Sequence, residues 1–219
     1  MPDTPKPEGP RSHTVHTWLS SGAALIALGF SFYNFFDALP DPPETEVTKP
    51  RLIRVDRNDE SGTYLLFLQP SISTRIETEA VEVITDAQLV LTPVGQRAGT
   101  PGGSPHFFWQ AAVKWSYNWE EKAIWYEYAA DPTPFTVTRD EPQLPSLQFA
   151  SLDWKPAPGT LKGRLILHRA SGQPAIGFPV CIHLEKTDVT ALGKIKGGFH
   201  ELRADVPGKP KDNCYRWFY

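Results

Sequence analysis

Beyond about residue 50 the chain alternates apolar and polar residues with a period of two, and helical periodicity is nearly absent. The alternation is clearest from Phe107 to Trp119. There Phe107, Trp109, Ala111, Val113, Trp115, Tyr117 and Trp119 share one parity, while Gln110, Lys114, Ser116, Asn118 and Glu120 fall on the other. Successive side chains of a strand point to opposite faces, so this pattern predicts a half-buried strand. A second strand is predicted from Ile176, with Phe178, Val180, Ile182 and Leu184 on one face and Cys181, His183 and Glu185 opposite. Pro179 places its start at an edge or a bulge, because proline cannot donate to a ladder. Weaker strand patterns run over 52–55, 63–68, 80–92, 123–128, 135–139, 163–169 and 214–219.

Turn chemistry separates most of these runs, at 58–62, 95–105, 170–173 and 207–210, where Gly, Pro, Asn, Asp and Ser gather. Short strands at this spacing predict an all-β ectodomain over 51–219, an Ig-like antiparallel β-sandwich of about seven to ten strands. Only 188–196 invites a helix, with Asp188 as its N-cap and Gly197 as its stop. No internal repeat supports a propeller or a solenoid.

Ahead of the alternating region the pattern is different. From Trp18 to Phe36 nineteen residues pass without a charged side chain. At 1.5 Å per residue they span about 28 Å of a roughly 30 Å hydrocarbon core. Trp18 at one end and Tyr33, Phe35 and Phe36 at the other sit where aromatic rings favour the membrane interface. The segment is therefore expected to be a transmembrane helix acting as a signal-anchor, with the lipid bilayer as its partner through 18–36. A cleaved signal peptide is the rival reading, but this apolar stretch exceeds the usual length, and cleavage after Ala38 would place bulky Phe36 at the −3 position. Lys6 and Arg11 precede the segment and no Lys or Arg occurs from 37 to 48, which puts the N-terminus in the cytoplasm. The expected organisation is a cytoplasmic tail (1–17), a membrane helix (18–36), a proline-rich stem (37–50) and an extracytoplasmic β domain (51–219). The localisation is the cell membrane, single-pass.

Composition limits what the domain does. The 219 residues carry 22 Lys and Arg against 25 Asp and Glu, a net charge of −3, so the basic excess needed to neutralise phosphates is missing and nucleic acid is not an expected partner. The 22 prolines are about twice the usual share. Many of them flank the apolar run, where they favour extended, stiff backbone. Acids gather early (Asp56, Asp59, Glu60, Glu77, Glu79, Glu82, Asp86) and bases late (Lys194, Lys196, His200, Arg203, Lys209, Lys211, Arg216). A basic patch toward an anionic membrane or wall polymer is one reading, and an ordinary mixed surface paired across strands is the simpler one.

Candidate chemistry is sparse. Cys181 and Cys214 are the only cysteines, and in an oxidising compartment they are expected to form a disulfide on the outer face or at an edge of the sandwich. Closing a loop of about 34 residues stabilises by roughly 3 to 4 kcal/mol in the chain-entropy model. A metal site of Cys181, His183 and Cys214 would need a further ligand from His168 or His200 and has no supporting spacing, so no metal and no cofactor is expected. The sequence lacks GxSxG, HExxH and GxxxxGK[ST], and no catalytic residue is assigned. The tryptophans of 107–128 read mainly as core. Trp119 and Trp125 are the exceptions, because they flank the turn Glu120-Glu121-Lys122 and would be exposed there as a platform for sugar or peptide.

The functional expectation is a membrane-anchored, non-catalytic binding or interaction protein whose partner is an unidentified protein or envelope polymer. Two alternatives stand beside it. One is an accessory subunit of a membrane complex, packed through the small residues Ser20 to Ala24, Ala27 and Gly29. The other is an envelope enzyme with a site assembled from loops.

Overall fold

The computed structural model describes residues 11–37, 44–74, 81–95, 105–138, 143–170, 172–195, 198–210 and 212–217, with side chains of the first helix described from Gly22 onward. The chain divides into two units, Met1–Asp41 and Pro42–Tyr219.

The first unit contains helix α1 (Arg11–Asp37). Its apolar side chains Leu25, Ile26, Leu28, Phe30, Phe32, Phe35 and Phe36 are all exposed. Among the described residues no helix is long and apolar enough to cross a membrane. The expected transmembrane helix at 18–36 finds no support there. Trp18 to Ser21 lie outside the described side chains, and the sixteen residues from Gly22 to Asp37 reach only about 24 Å.

The second unit is antiparallel β structure. A small sheet pairs β1 (Thr45–Thr48) with β4 (Ser71–Thr74). Thr45–Thr48 falls in the expected stem, but Val47 packs against the core, so the domain starts earlier than composition indicates. Among the described residues the main sheet has eleven strands. Its continuous path runs from β11 (Ile176–Leu184) through β10 (Gly159–Arg169), β5 (Glu82–Pro93), β6 (His106–Asn118), β9 (Leu147–Ser151), β3 (Tyr64–Leu68), β2 (Leu52–Arg57) and β12 (Phe199–Arg203) to β13 (Arg216–Trp217). β7 (Ala123–Ala130) adds to β6 and β8 (Phe135–Val137) adds to β5.

The two ends of this path meet. Arg216 and Trp217 pair with Arg203 and Leu202 of β12, while the preceding Tyr215 bridges Ile182 of β11 through His183 N–H to Tyr215 O (3.0 Å) and Tyr215 N–H to Cys181 O (2.7 Å). One continuous sheet therefore curls into a sandwich that approaches a barrel. The expected all-β antiparallel class is met, with its two layers drawn from a single sheet. A Cβ on Gly163 of β10 would lie 1.7 Å from the carbonyl oxygen of Val90 in the neighbouring β5, so only glycine fits at that point of the ladder.

The enclosed core gathers Ile53, Val55, Leu66, Leu68, Leu89, Leu91, Leu147, Phe149, Leu165, Leu167, Val180, Ile182 and Tyr215. The alternation read at Phe107 to Val113 and at Phe178 to Leu184 is the buried face of β6 and β11. The periodicity missed β1, β4, β9 and β12. β9 shows why: Leu147, Phe149, Ala150 and Ser151 are all buried, because the strand is covered on both faces and loses its period of two.

The helix expected at 188–196 is α2 (Lys186–Leu192). The Asp188 carboxylate accepts the Glu185 N–H at 2.7 Å from the third helical position, making Glu185 the N-cap of a capping box, and Gly193 ends the helix before Gly197. The expected disulfide is present. Cys181 on the edge strand β11 and Cys214, just before β13, are bonded with Cα atoms 4.4 Å apart, and this fixes the closing segment in place. Cys214 is buried, whereas Cys181 is half-buried on the outer face. Replacing both cysteines with serine is expected to lower stability by about 3 to 4 kcal/mol in denaturant unfolding. A change below about 1 kcal/mol would show that the closing segment holds without its covalent clamp.

Candidate functional site

β6 does two jobs along its thirteen residues. Its first half lies in the main sheet between β5 and β9. Register shifts occur between Trp109 and Ala111 and again between Ala112 and Val113, and beyond Val113, whose N–H still donates to Ser146 O at 2.9 Å, the strand pairs among the described residues with β7. The result is a two-stranded arm whose tip is the turn 119–122. Asn118 closes that turn by accepting the N–H groups of Glu120 (2.9 Å) and Glu121 (3.2 Å), and Lys122 completes it in the left-handed region at φ 51°.

The base of the arm is packed on the outside of the main sheet. Val113, with Trp115 and Tyr126 partly buried, covers Leu65, Phe67 and Ala150 in a second apolar cluster outside the main core. Trp115 meets Phe67 and Phe199 edge to face at 5.3 and 5.2 Å. The Arg54 guanidinium stands 4.2 Å over the Trp115 ring and its Nε pairs with Glu201 at 3.1 Å. The Trp115 indole N–H donates to Ser146 Oγ at 2.7 Å. Tyr126 ties β7 to β2 by donating its hydroxyl to Asp56 Oδ2 at 2.6 Å. Asp56 is buried, and burial pushes its carboxyl above the ordinary value of 3.8 against the opposing hydrogen bonds from Tyr126 and the Arg57 N–H. Burial likewise raises the Tyr126 hydroxyl, with the Asp56 carboxylate beside it adding to the shift.

Toward the tip the same arm is bare. In register, Val113, Trp115 and Tyr117 face Tyr128, Tyr126 and Ile124 on one side, while Lys114, Ser116 and Asn118 face Glu127, Trp125 and Ala123 on the other. Tyr117, Ile124 and Tyr128 are exposed on the first side, and Trp125 on the second. Trp119 is 82% exposed and Trp125 44%, but they do not form one plate. Trp119 packs edge to face against Tyr117 at 4.7 Å, Trp125 projects from the opposite face, and no ring contact joins the two among the described residues. Trp109 belongs to the core at 9% exposure. The sequence reading missed Tyr117, Ile124 and Tyr128 as surface residues. One signal was present: β7 carries large apolar residues at both parities, and no sheet buries both faces of an arm.

Other candidates resolve differently. Both sulfurs of Cys181 and Cys214 are consumed in the disulfide, which removes the cysteine-based metal alternative, and the half-buried His183 shares a hydrogen bond with Thr160 Oγ1 at 2.8 Å. Among the described residues no group of three or more His, Cys, Asp and Glu is placed to hold a metal ion. Three of the late bases pair with acids of the later part of the chain. Arg203 pairs with Asp205, Lys209 with Glu185, and Arg216 with Asp212, each acid coming from the same part of the chain. The Arg216 guanidinium, bonded to both oxygens of Asp212, holds that carboxyl well below its ordinary value. Two of the early acids are not on the surface: Asp56 bonds Tyr126, and Glu82 is fully buried against Arg169 Nε at 2.7 Å. Lys196, Lys211, Glu77 and Glu79 lie outside the described residues. A shallow pocket of about 310 Å³ at the foot of the arm is lined by Arg51, Arg54, Phe67, Gln69, Trp115 and Leu144.

The packing separates the tryptophans by energy. Trp109→Ala is expected to cost about 3 to 5 kcal/mol in denaturant unfolding, and Trp119→Ala to stay within about 0.5 kcal/mol of the native protein. Comparable losses for the two would mean that the tip is packed. A second expectation concerns pH. With its folded-state value above the unfolded one, Asp56 contributes stability below the ordinary aspartate value that is lost as pH rises through the raised value. Relative to Asp56→Asn, which keeps an acceptor for Tyr126, the native protein should lose stability as pH rises toward neutrality. A difference in unfolding midpoint that does not change with pH would contradict this. Compared with protein-family models, curated proteins and solved structures, the chain matches none of them.

Proposed function

We propose that this chain is a membrane-anchored, non-catalytic binding protein, held by the apolar segment 18–36 and carrying its partner on the β6–β7 arm outside the cytoplasm. The observation that carries the reading is the arm itself. Tyr117, Trp119, Ile124, Trp125 and Tyr128 are exposed together on one projecting hairpin, whereas the enclosed core already buries its large apolar residues. Scattered exposed apolar side chains are ordinary, but a gathered set on a projecting element marks a surface that another molecule covers.

The anchor is supported by the nineteen uncharged residues of 18–36. The extracytoplasmic placement is supported by the Cys181–Cys214 disulfide, since such bonds persist in oxidising compartments. Sugar and peptide remain the two ligand chemistries that exposed tryptophan serves, and the partner lies in the same membrane or envelope because the anchor confines the domain to it.

Two measurements test the proposal. After a carbonate wash of membranes the full chain should stay in the pellet, and release of intact protein into the supernatant would refute an integral anchor. A stoichiometric partner that co-purifies from detergent with the native chain should be lost from Trp119→Ala and Trp125→Ala while both variants keep native thermal stability. Partner retention by both variants would place binding elsewhere.

A further inference from the structure

Resting on the arm as the binding surface, we infer that the open edge of β7 over 123–128 takes up an extended segment of a partner protein by strand addition, and that this segment alternates apolar with basic side chains. The edge is bare. Among the described residues β7 pairs with β6 alone, and its other side carries no backbone hydrogen bond to another segment. From Ala123 to Tyr128 its register against β6 is continuous, and the one irregularity falls beyond it at Ala129. A strand alternately turns its N–H and C=O groups to either side, so such an edge offers a ready row of donors and acceptors.

Exposed edges are normally blunted by shortness, by proline or lysine, or by a covering segment. Among the described residues, β8, β13 and β11 of the main sheet are managed in those ways. β8 has three residues and β13 two. β11 carries Pro179 and is covered at Ile182 by Tyr215. β7 has eight residues, AIWYEYAA, with no proline, glycine or lysine and one charge. Trp125 stands on one side of the edge and Ile124 and Tyr128 on the other, so an added strand meets large side chains on both of its faces.

Charge selects the occupant. The arm and its turn expose Glu120, Glu121, Glu127 and Asp131 against Lys114 and Lys122, and Lys114 already lies opposite Glu127. A segment with basic residues complements the remainder. A second copy of this chain does not. Antiparallel self-pairing centred on Glu127 sets that residue against itself, and centred on Tyr126 it brings the acidic turn of each copy, Glu120 and Glu121, toward Asp131 of the other at both ends of the paired strand. Centred on Trp125, pairing is cut short by the turn at Lys122. Like charges directly opposite destabilise a pair.

The test uses the full chain in detergent and a fluorescent synthetic peptide alternating valine with lysine, beside the same peptide N-methylated at its valines and a valine–glutamate peptide. The valine–lysine peptide should bind saturably and slow hydrogen exchange of the 123–128 amides about tenfold or more. N-methylation should weaken binding about tenfold or more, because the ladder loses its donors. The double substitution Glu120→Lys, Glu121→Lys lies outside the paired strand and should weaken the basic peptide several-fold at low salt, with the acidic peptide weaker throughout. Equal binding of the N-methylated peptide, binding without protection of 123–128, or no binding up to millimolar peptide would each overturn strand addition. A free chain that dimerises with 123–128 protected would also overturn it, in favour of self-pairing. If the edge fails but Trp119→Ala and Trp125→Ala still lose the co-purifying partner, the arm binds through its aromatic rings and only this inference falls. If those variants keep the partner, the arm itself is not the binding surface.

Discussion

Closure of the sheet by residues 214–217 is the constraint on which the rest of the β domain depends. An open sheet of this length has two edges and an apolar face that no second layer covers. Here the first edge belongs to β11 and the second to β12, and one short segment reaches both. Tyr215 is fully buried between them and donates its hydroxyl to the Pro50 carbonyl at 2.5 Å, so the start of β2 is bound to the end of the chain. Two strand ends far apart in sequence give little local reward for meeting, because loop closure costs entropy before any contact forms. The disulfide offsets that cost at the place where it falls. It joins the residue beside Ile182 to the residue beside Tyr215 and so sits directly on the seam.

The arm is a continuation of β6 past the main sheet, where its second half pairs with β7. The register shifts at Trp109 and Ala112 mark the point of departure. Having left, the arm bends back over β3 and β2 and acquires a base of aromatic contacts, one cation–π pair and the Tyr126–Asp56 hydrogen bond. That base makes the tip a fixed projection. Closure joins the β11 and β12 ends of the main sheet, while among the described residues β7 keeps an unpaired side on an arm that exposes Tyr117, Trp119, Trp125 and Tyr128.

Charges follow the same division between seam, core and arm. Arg169 meets Glu82 with both side chains almost wholly out of water, where the loss of either partner would strand the other. Arg203 and Arg216 each pair with an acid a few residues away in the chain, and Lys209 pairs with Glu185 before α2. On the arm exposed acids outnumber bases, and that imbalance gives its surface a sign as well as a shape.

The sequence by itself determined what depends on neighbours a few residues apart. Period-two alternation located β6 and β11, because each has one face in the core and one outside it, and the burial of Trp109 followed from its parity. Two cysteines in a chain with an apolar leader-like segment were enough to name the bonded pair. Tertiary structure decided the rest. β9 has no alternation to read because the core covers one of its faces and the arm the other, and only the assembled sheet shows that second cover. Asp188 reads as a cap from residue type, yet its place in the capping box depends on which backbone N–H it reaches. Trp119 and Trp125 could be picked out beside a turn, but whether they share a plane is set by strand parity across a bulged hairpin. The open edge of β7 was invisible in the sequence for the same reason that the closed seam was: a strand's residues specify its faces, whereas its partners are chosen by segments far away in the chain.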